Sequence, residues 1–296
     1  MTLHGIIPPM TTPFGADGEL KLDLLRGQVD WLVGQGVHGL AAGGSTGEGH
    51  TLDSAEFRDL VAATVEAAGG RVPVIAGIIV DSTRDAIRRA RLLHDMKVAA
   101  LQVTPVHYLF RPDDEAMLAH FKTVAEETGI PVIIYNVVPW SYLSPELLVR
   151  IMRAVPGVIG VKQSAGDLKL VADLLNTADP NHLILSAVDA LLYPSFALGA
   201  HGSIAAILTA APRASVELWN AVQAGDHGRA LDLHRKLLPL WNAIVGDNLP
   251  ACTKAAQTLQ GCEAGLPRAP MPPASPRQED KIAEALRALG AELRKS

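Results

Sequence analysis

The chain has 296 residues, 48% of them hydrophobic and 19% charged, with a formal net charge of −5. That apolar content buries a sizeable core, either as one large α/β domain or as two small ones. A mildly acidic chain with no basic stripe interleaved with aromatics excludes nucleic acid as an expected partner, and its longest apolar runs, such as Val72 to Val80, are too short to span a bilayer.

In chain order, short apolar runs alternate with amphipathic stretches. The N-terminal Met1-Thr2-Leu3-His4-Gly5 lacks the basic and apolar regions of a signal peptide, so a cytoplasmic protein is expected. Strand-like runs are Gly5 to Pro8, Gly36 to Ala42, Val72 to Ile79, Ala99 to Thr104, Ile130 to Asn136, Val158 to Gln163, His182 to Ala187 and Ala200 to Ile207. Between them lie segments rich in Ala, Leu, Arg and Glu, several opened by capping signals: Asp53-Ser54-Ala55-Glu56, Asp81-Ser82-Thr83-Arg84 and Ser144-Pro145-Glu146. Continuous apolar strands mean burial on both faces, as parallel sheets require. Eight such units, at spacings of roughly 20 to 35 residues, predict an α/β fold of the (β/α)₈ TIM-barrel type, with a doubly wound sheet as the alternative. Past Pro212 the strands stop. Ala214 to Ala224, Asp226 to Val245, Asn248 to Gln260 and Pro276 to Arg294 read as helices, and Leu266 to Pro276 as a Pro-rich loop. The expected division is a barrel over 1–225 and a C-terminal helical extension over 226–296.

Lys162 stands out in this layout. It lies in Gly157-Val158-Ile159-Gly160-Val161-Lys162-Gln163-Ser164, an apolar run that reads as a buried strand, whereas the other eight lysines, Lys254 among them, fall in segments that read as solvated. Burial favours the neutral amine, and a neutral amine forms a Schiff base with a carbonyl substrate. A strand-end lysine held in an ion pair is the competing explanation. Barrel chemistry collects at the C-terminal ends of strands, and Thr11-Thr12-Pro13-Phe14, the Gly43 to Glu48 loop, Tyr135-Asn136 and Lys162 all fall there. That coincidence points to Lys162 as an active-site amine.

Gly43-Gly44-Ser45-Thr46-Gly47-Glu48 would leave backbone N–H groups exposed as an anion nest for a carboxylate or phosphate, or would simply make a tight strand-to-helix turn. It has neither the lysine of a P-loop nor the register of a dinucleotide fingerprint. Tyr135 reads either as a packed core phenol or as a proton carrier facing the lysine. The ten histidines and two cysteines offer no recognisable metal-ligand spacing, so no metal is expected. His107 and Tyr108, past the fourth strand, could reach the site or a subunit interface.

These residues resemble the dihydrodipicolinate synthase / N-acetylneuraminate lyase family of class I aldolases over nearly the whole chain. Gly5 to Phe14 looks like the family's opening strand, Gly44-Ser45-Thr46-Gly47-Glu48 like its G-T/S-T-G-E loop, and Tyr135-Asn136-Val137 like its Y-N-V/I-P segment. Gly160-Val161-Lys162-Gln163-Ser164 is similar to the Schiff-base strand, and Leu198 to Ile204 to the last barrel strand. The resemblance implies an imine between Lys162 and a 2-oxo acid such as pyruvate, with Tyr135 shuttling protons. It implies Ser45, Thr46 and Gly44 at the substrate carboxylate, Ile204 beside the pyruvate, no cofactor, an aldehyde or aldol as second substrate, and a homotetramer.

Two departures bear on the substrate. The synthases carry an arginine shortly after Y-N-V-P, and here Val137-Val138-Pro139-Trp140-Ser141-Tyr142-Leu143 has none. Their T-P-Y-Y-N stretch becomes Thr104-Pro105-Val106-His107-Tyr108. The expected function is therefore a Schiff-base lyase or synthase on a pyruvate-like acid. Alternatives are 4-hydroxy-tetrahydrodipicolinate synthase itself, a 2-keto-3-deoxy sugar-acid aldolase or dehydratase, and a non-enzymatic 2-oxo-acid sensor.

Overall fold

In a computed structural model, which describes residues 3–294, every predicted strand run contains a strand. They are β1 (Gly5–Ile6), β2 (Leu40–Ala42), β3 (Val74–Ile78), β4 (Ala100–Val103), β5 (Val132–Asn136), β6 (Val158–Gln163), β7 (Leu183–Ser186) and β8 (Gly202–Ser203). All pair in parallel, in the order β1-β8-β7-β6-β5-β4-β3-β2. The ring closes beyond β1, where Pro9 bridges Ala41. There the Ala41 N–H donates to the Pro8 carbonyl at 3.0 Å and the Met10 N–H to the Ala41 carbonyl at 2.8 Å. The fold is a TIM-type barrel. Its strands are apolar on both faces for the reason the pattern suggested: Ile7, Ala41, Ile75, Ala100, Ile133 and Leu185 fill the interior, and the alternate residues pack against helices.

The surrounding helices are α1 (Leu22–Gly34), α2 (Ser54–Ala68), α3 (Thr83–Arg91), α4 (Asp114–Thr128), α5 (Pro145–Ala154), α6 (Leu168–Thr177), α7 (Leu192–Ala197), α8 (Ala206–Ala210) and α9 (Pro212–Gln223). Asp53 and Glu56 form a full capping box on α2, and Ser144 caps α5 ahead of Pro145. On α3 the cap is Ser82, leaving the Asp81 carboxylate to accept the Tyr108 N–H at 3.1 Å. The extension adds α10 (His227–Ile244), α11 (Leu249–Leu259) and α12 (Pro276–Ala288). Among the described residues no helix is long and apolar enough to cross a membrane.

Three expectations need correction. The run Ala200 to Ile207 is strand only at Gly202–Ser203, because the chain turns into α8 where the Ile207 N–H finds the Asp189 carboxylate at 2.9 Å. Helix α12 ends at Ala288 instead of Arg294, since Gly290 adopts φ +77° and its N–H folds back onto the Arg287 carbonyl. Lys254, expected in solvent, is 2% exposed. The docking of α11 on the barrel brings it to Glu48, whose carboxylate accepts its Nζ at 2.6 Å.

Candidate active site

β5 and β6 are neighbours in register, with Tyr135 opposite Lys162. Both side chains point into the mouth of the barrel, and each residue is 3% exposed. The Lys162 Nζ lies 3.7 Å from the centre of the Tyr135 ring. Burial pulls the Lys162 ammonium down from 10.5 to about 7, against the pull of the Asp189 carboxylate. Burial pushes the Tyr135 phenol up to about 12. The phenol is therefore protonated at neutral pH, and it donates to Ser45 Oγ at 3.1 Å.

Ser45 comes from the loop after β2, a tight turn in which the N–H groups of Gly47 and Gly49 both donate to the Gly44 carbonyl at 3.0 Å. The turn tolerates no side chain at position 49, where a Cβ would sit 1.9 Å from the Gly43 carbonyl oxygen. Among the described residues the N–H groups of Ser45 and Thr46 donate to no backbone acceptor. Two donors of that kind at a loop bend suit an anion.

A cavity of about 460 Å³ opens above these groups, lined by Ser45, Thr46, Tyr135, Lys162, Ser164 and Ile204, among others. Gly44 does not reach it; its carbonyl closes the turn by accepting the Gly47 and Gly49 N–H groups. His107 and Tyr108 do not reach it either. The His107 Nδ1 lies 3.0 Å from the Pro105 carbonyl oxygen and 3.4 Å from the Asp81 carboxylate, and Tyr108 stands 68% exposed on the outer surface.

The sequence reading missed two contributions. Asp189, on the turn after β7, also lines the cavity. Burial lifts its carboxyl from 3.8 to about 6, opposed in part by the Ile207 N–H and by Lys162. The strand-end rule that selected Lys162 applies equally to the end of β7 and would have found it. Trp241 of α10 and Leu249 and Pro250 of α11 close one side with an apolar wall, a contribution that helix periodicity cannot announce. The Ser164 hydroxyl is buried in the same site and, among the described residues, has no hydrogen-bond partner. A lysine near its neutral point, a protonated phenol relayed to a serine, and a pair of open amides together suit imine chemistry on a carboxylated carbonyl compound.

Residues 2–289 match the model of the dihydrodipicolinate synthetase family. The 4-hydroxy-tetrahydrodipicolinate synthase of Methanopyrus kandleri is 34% identical over 291 residues, 97% of either chain. That of Methanothrix thermoacetophila is 36% identical over 287 residues, 96% of either chain. Among solved structures, dihydrodipicolinate synthase from Aquifex aeolicus superposes with a TM-score of 0.92 at 28% identity, over 99% of this chain and 100% of that one. YagE, a prophage protein of the dihydrodipicolinic acid synthase family from E. coli K12 solved in complex with pyruvate, superposes with a TM-score of 0.93 at 25% identity, over 98% and 100%. The chain belongs to the dihydrodipicolinate synthetase family and is an enzyme of the class I, Schiff-base-forming lyase and synthase type.

Proposed function

We propose that Lys162 is the imine-forming residue, that the 2-oxo acid is pyruvate or a close relative, and that the partner substrate is a neutral or hydroxylated aldehyde, or the aldol made from it. The observation that carries this reading is the buried Lys162 amine beside the protonated Tyr135 phenol. The amine attacks the C2 carbonyl, and the carbinolamine loses water to give a protonated imine. That imine is the electron sink for removal of a C3 proton, and the resulting enamine attacks the aldehyde carbon. Tyr135, through Ser45, carries protons in these steps. The open amides and hydroxyls of Ser45 and Thr46 hold the carboxylate, with Ile204 alongside. The aldehyde lies toward Ser164, Asp189 and Trp241.

The names of the relatives favour a second reading, in which aspartate semialdehyde is the acceptor. Against it, among the described residues no arginine lines the cavity. We further propose a homotetramer, supported by the exposed cluster of Tyr108, Leu109, Phe110 and Trp140. Reduction of the imine by borohydride tests the central claim. Pyruvate should leave one covalent adduct, mapped to Lys162, and an adduct on another lysine or none with any 2-oxo acid refutes it.

A further inference from the structure

A buried ion pair stands behind the Ser45–Thr46 loop and takes no part in the chemistry above. Glu48 is wholly buried and holds φ at +54°, a left-handed backbone that a residue with a Cβ keeps only where its surroundings impose it. Lys254 of α11 donates to Glu48 Oε1 at 2.6 Å, and the Arg268 N–H donates to Glu48 Oε2 at 2.8 Å. The Glu48 N–H itself closes onto the Ser45 carbonyl at 3.0 Å. The side chain thus ends on the extension while the backbone ends on a residue of the cavity.

Both residues that meet the Glu48 carboxylate, Lys254 through its ammonium and Arg268 through its backbone N–H, are themselves fixed. Lys254 also donates to the Leu266 carbonyl at 2.7 Å. The Arg268 guanidinium grips Glu56 on the first turn of α2 and lies 4.1 Å from the centre of the Phe14 ring. Glycines flank Glu48 on each side. The Thr12 hydroxyl donates to the Gly47 carbonyl at 2.6 Å and the Thr51 hydroxyl to the Glu48 carbonyl at 2.8 Å, while the Glu48 carboxylate ties this bend to the extension. Helix α11 also reaches the cavity directly, through Leu249 and Pro250, one turn before Lys254. One helix walls the site and clamps the loop that faces it.

We infer that Glu48 and Lys254 are positioning residues whose ion pair holds the Ser45 and Thr46 amides in the shape that receives the substrate carboxylate. The inference rests on the carboxylate role proposed above for Ser45 and Thr46. Loss of the pair weakens capture of the 2-oxo acid and leaves the amine at Lys162 untouched.

The test is borohydride trapping of the full-length protein over a pyruvate concentration series, with thermal unfolding alongside. Glu48→Gln and Lys254→Met each strand a buried group and should destabilise, whereas removing both together relieves that penalty, so the double variant decides. It should unfold near the wild-type temperature and reach a saturated trapping rate within about threefold of wild type, yet need about 10- to 100-fold more pyruvate for half-saturation. Wild-type half-saturation in a folded double variant makes the pair purely structural and overturns the inference, as does a fall in the saturated rate alone. Glu48→Asp, which keeps the charge and shortens the strut by one methylene, covers the case in which the double variant does not fold. It should raise half-saturation by a smaller factor, and no rise overturns the inference. If methyl pyruvate, which lacks the carboxylate charge, half-saturates wild-type trapping at the same concentration as pyruvate, the carboxylate reading itself fails, whatever the Glu48 and Lys254 variants do.

Discussion

Lys162 Nζ rests 3.7 Å from the centre of the Tyr135 ring, on a neighbouring strand in register. Two effects oppose each other there. An aromatic face attracts the ammonium, by roughly 0.5–2 kcal/mol, while removal from water favours the neutral amine. With the amine held at about 7 the second effect wins, and a large share of Lys162 is neutral at neutral pH and able to attack a carbonyl.

The rate of imine trapping should therefore rise with pH through about 7 and level off above it, far below the ordinary range of a lysine. Cyanoborohydride trapping with pyruvate across a pH series measures this. Asp189→Asn removes the carboxylate that favours the ammonium, so the midpoint should move to lower pH. A midpoint near 10 in the wild type would mean that Lys162 is solvated and the mechanism is wrong. Lys162→Ala should give no adduct and no turnover while retaining the fold.

Stability carries the same signature. The Lys162 pKa is lower in the folded chain than the 10.5 of the free side chain, so the unfolded state binds more protons between about 7 and 10.5. Its contribution is a penalty, fully present below about 7 and fading as pH rises to 10.5. Lys162→Met keeps the volume and removes the charge. It should raise Tm at pH 7 by roughly 5 °C, compared at equal protein concentration, and the gain should shrink toward pH 10. An equal or lower Tm at pH 7 would contradict the desolvation argument.

What could be read from the sequence, and what could not, follows from the range of the interactions. Strand runs buried on both faces and caps such as Asp53–Glu56 are local patterns, and they located every strand and most helices. Lys162 was legible because an ammonium in an apolar run is a local contradiction. Lys254 was not, since its partner Glu48 lies 206 residues away and a lysine between Thr253 and Ala255 on a helix looks ordinary. Asp189 resembles a helix-start residue, and it does accept the Ile207 N–H. Only the pairing of β7 with β6 sets it beside Lys162. The Gly290 stop of α12, by contrast, was visible and overlooked.

Tyr135→Phe should lower kcat by roughly 10²–10⁴-fold, the usual contribution of a general acid–base group. Half-saturation by the 2-oxo acid should change far less, because the phenol ends on Ser45 Oγ and its loss leaves the Ser45 and Thr46 N–H groups proposed for the carboxylate in place. Steady-state kinetics with trapping at saturation separates the two. A near-wild-type kcat would reduce Tyr135 to a packing residue.

The loop after β4 should lie in a subunit contact. Leu109 and Phe110 are 72% and 78% exposed, with Trp140 beside them donating from its indole N–H to the His107 carbonyl at 2.8 Å. An apolar cluster of that kind is poorly suited to water. Light scattering at micromolar concentration should find the wild type oligomeric. The double change Leu109→Glu and Phe110→Glu should yield a smaller species and, if His107 or Tyr108 completes the relay across the contact, a lower kcat as well. A monomeric wild type would refute both statements.

Substrate choice follows from the charges in the cavity. Lys162 is the only cationic side chain that lines it among the described residues, and Asp189 adds a buried carboxylate. Arg111, in the loop after β4, is 41% exposed at its side chain and pairs with Asp114 at 3.1 Å. A second substrate that brings its own carboxylate, as aspartate semialdehyde does, would meet no guanidinium and would face Asp189. Losing a charge-assisted bidentate contact removes about 1.5–3 kcal/mol, more than tenfold in affinity, and the like charge adds to the loss. A hydroxylated neutral aldehyde instead offers donors to Asp189 and a partner to the buried Ser164 hydroxyl. Side-by-side kcat/KM values for aspartate semialdehyde and a panel of neutral and hydroxylated aldehydes should favour the latter by at least about tenfold. Asp189→Ala should erode that preference by lowering the rate with hydroxylated aldehydes more than with simple ones. A tenfold advantage for aspartate semialdehyde would instead require a cation from a neighbouring subunit at the cavity mouth, and would assign this chain the same reaction as its named relatives.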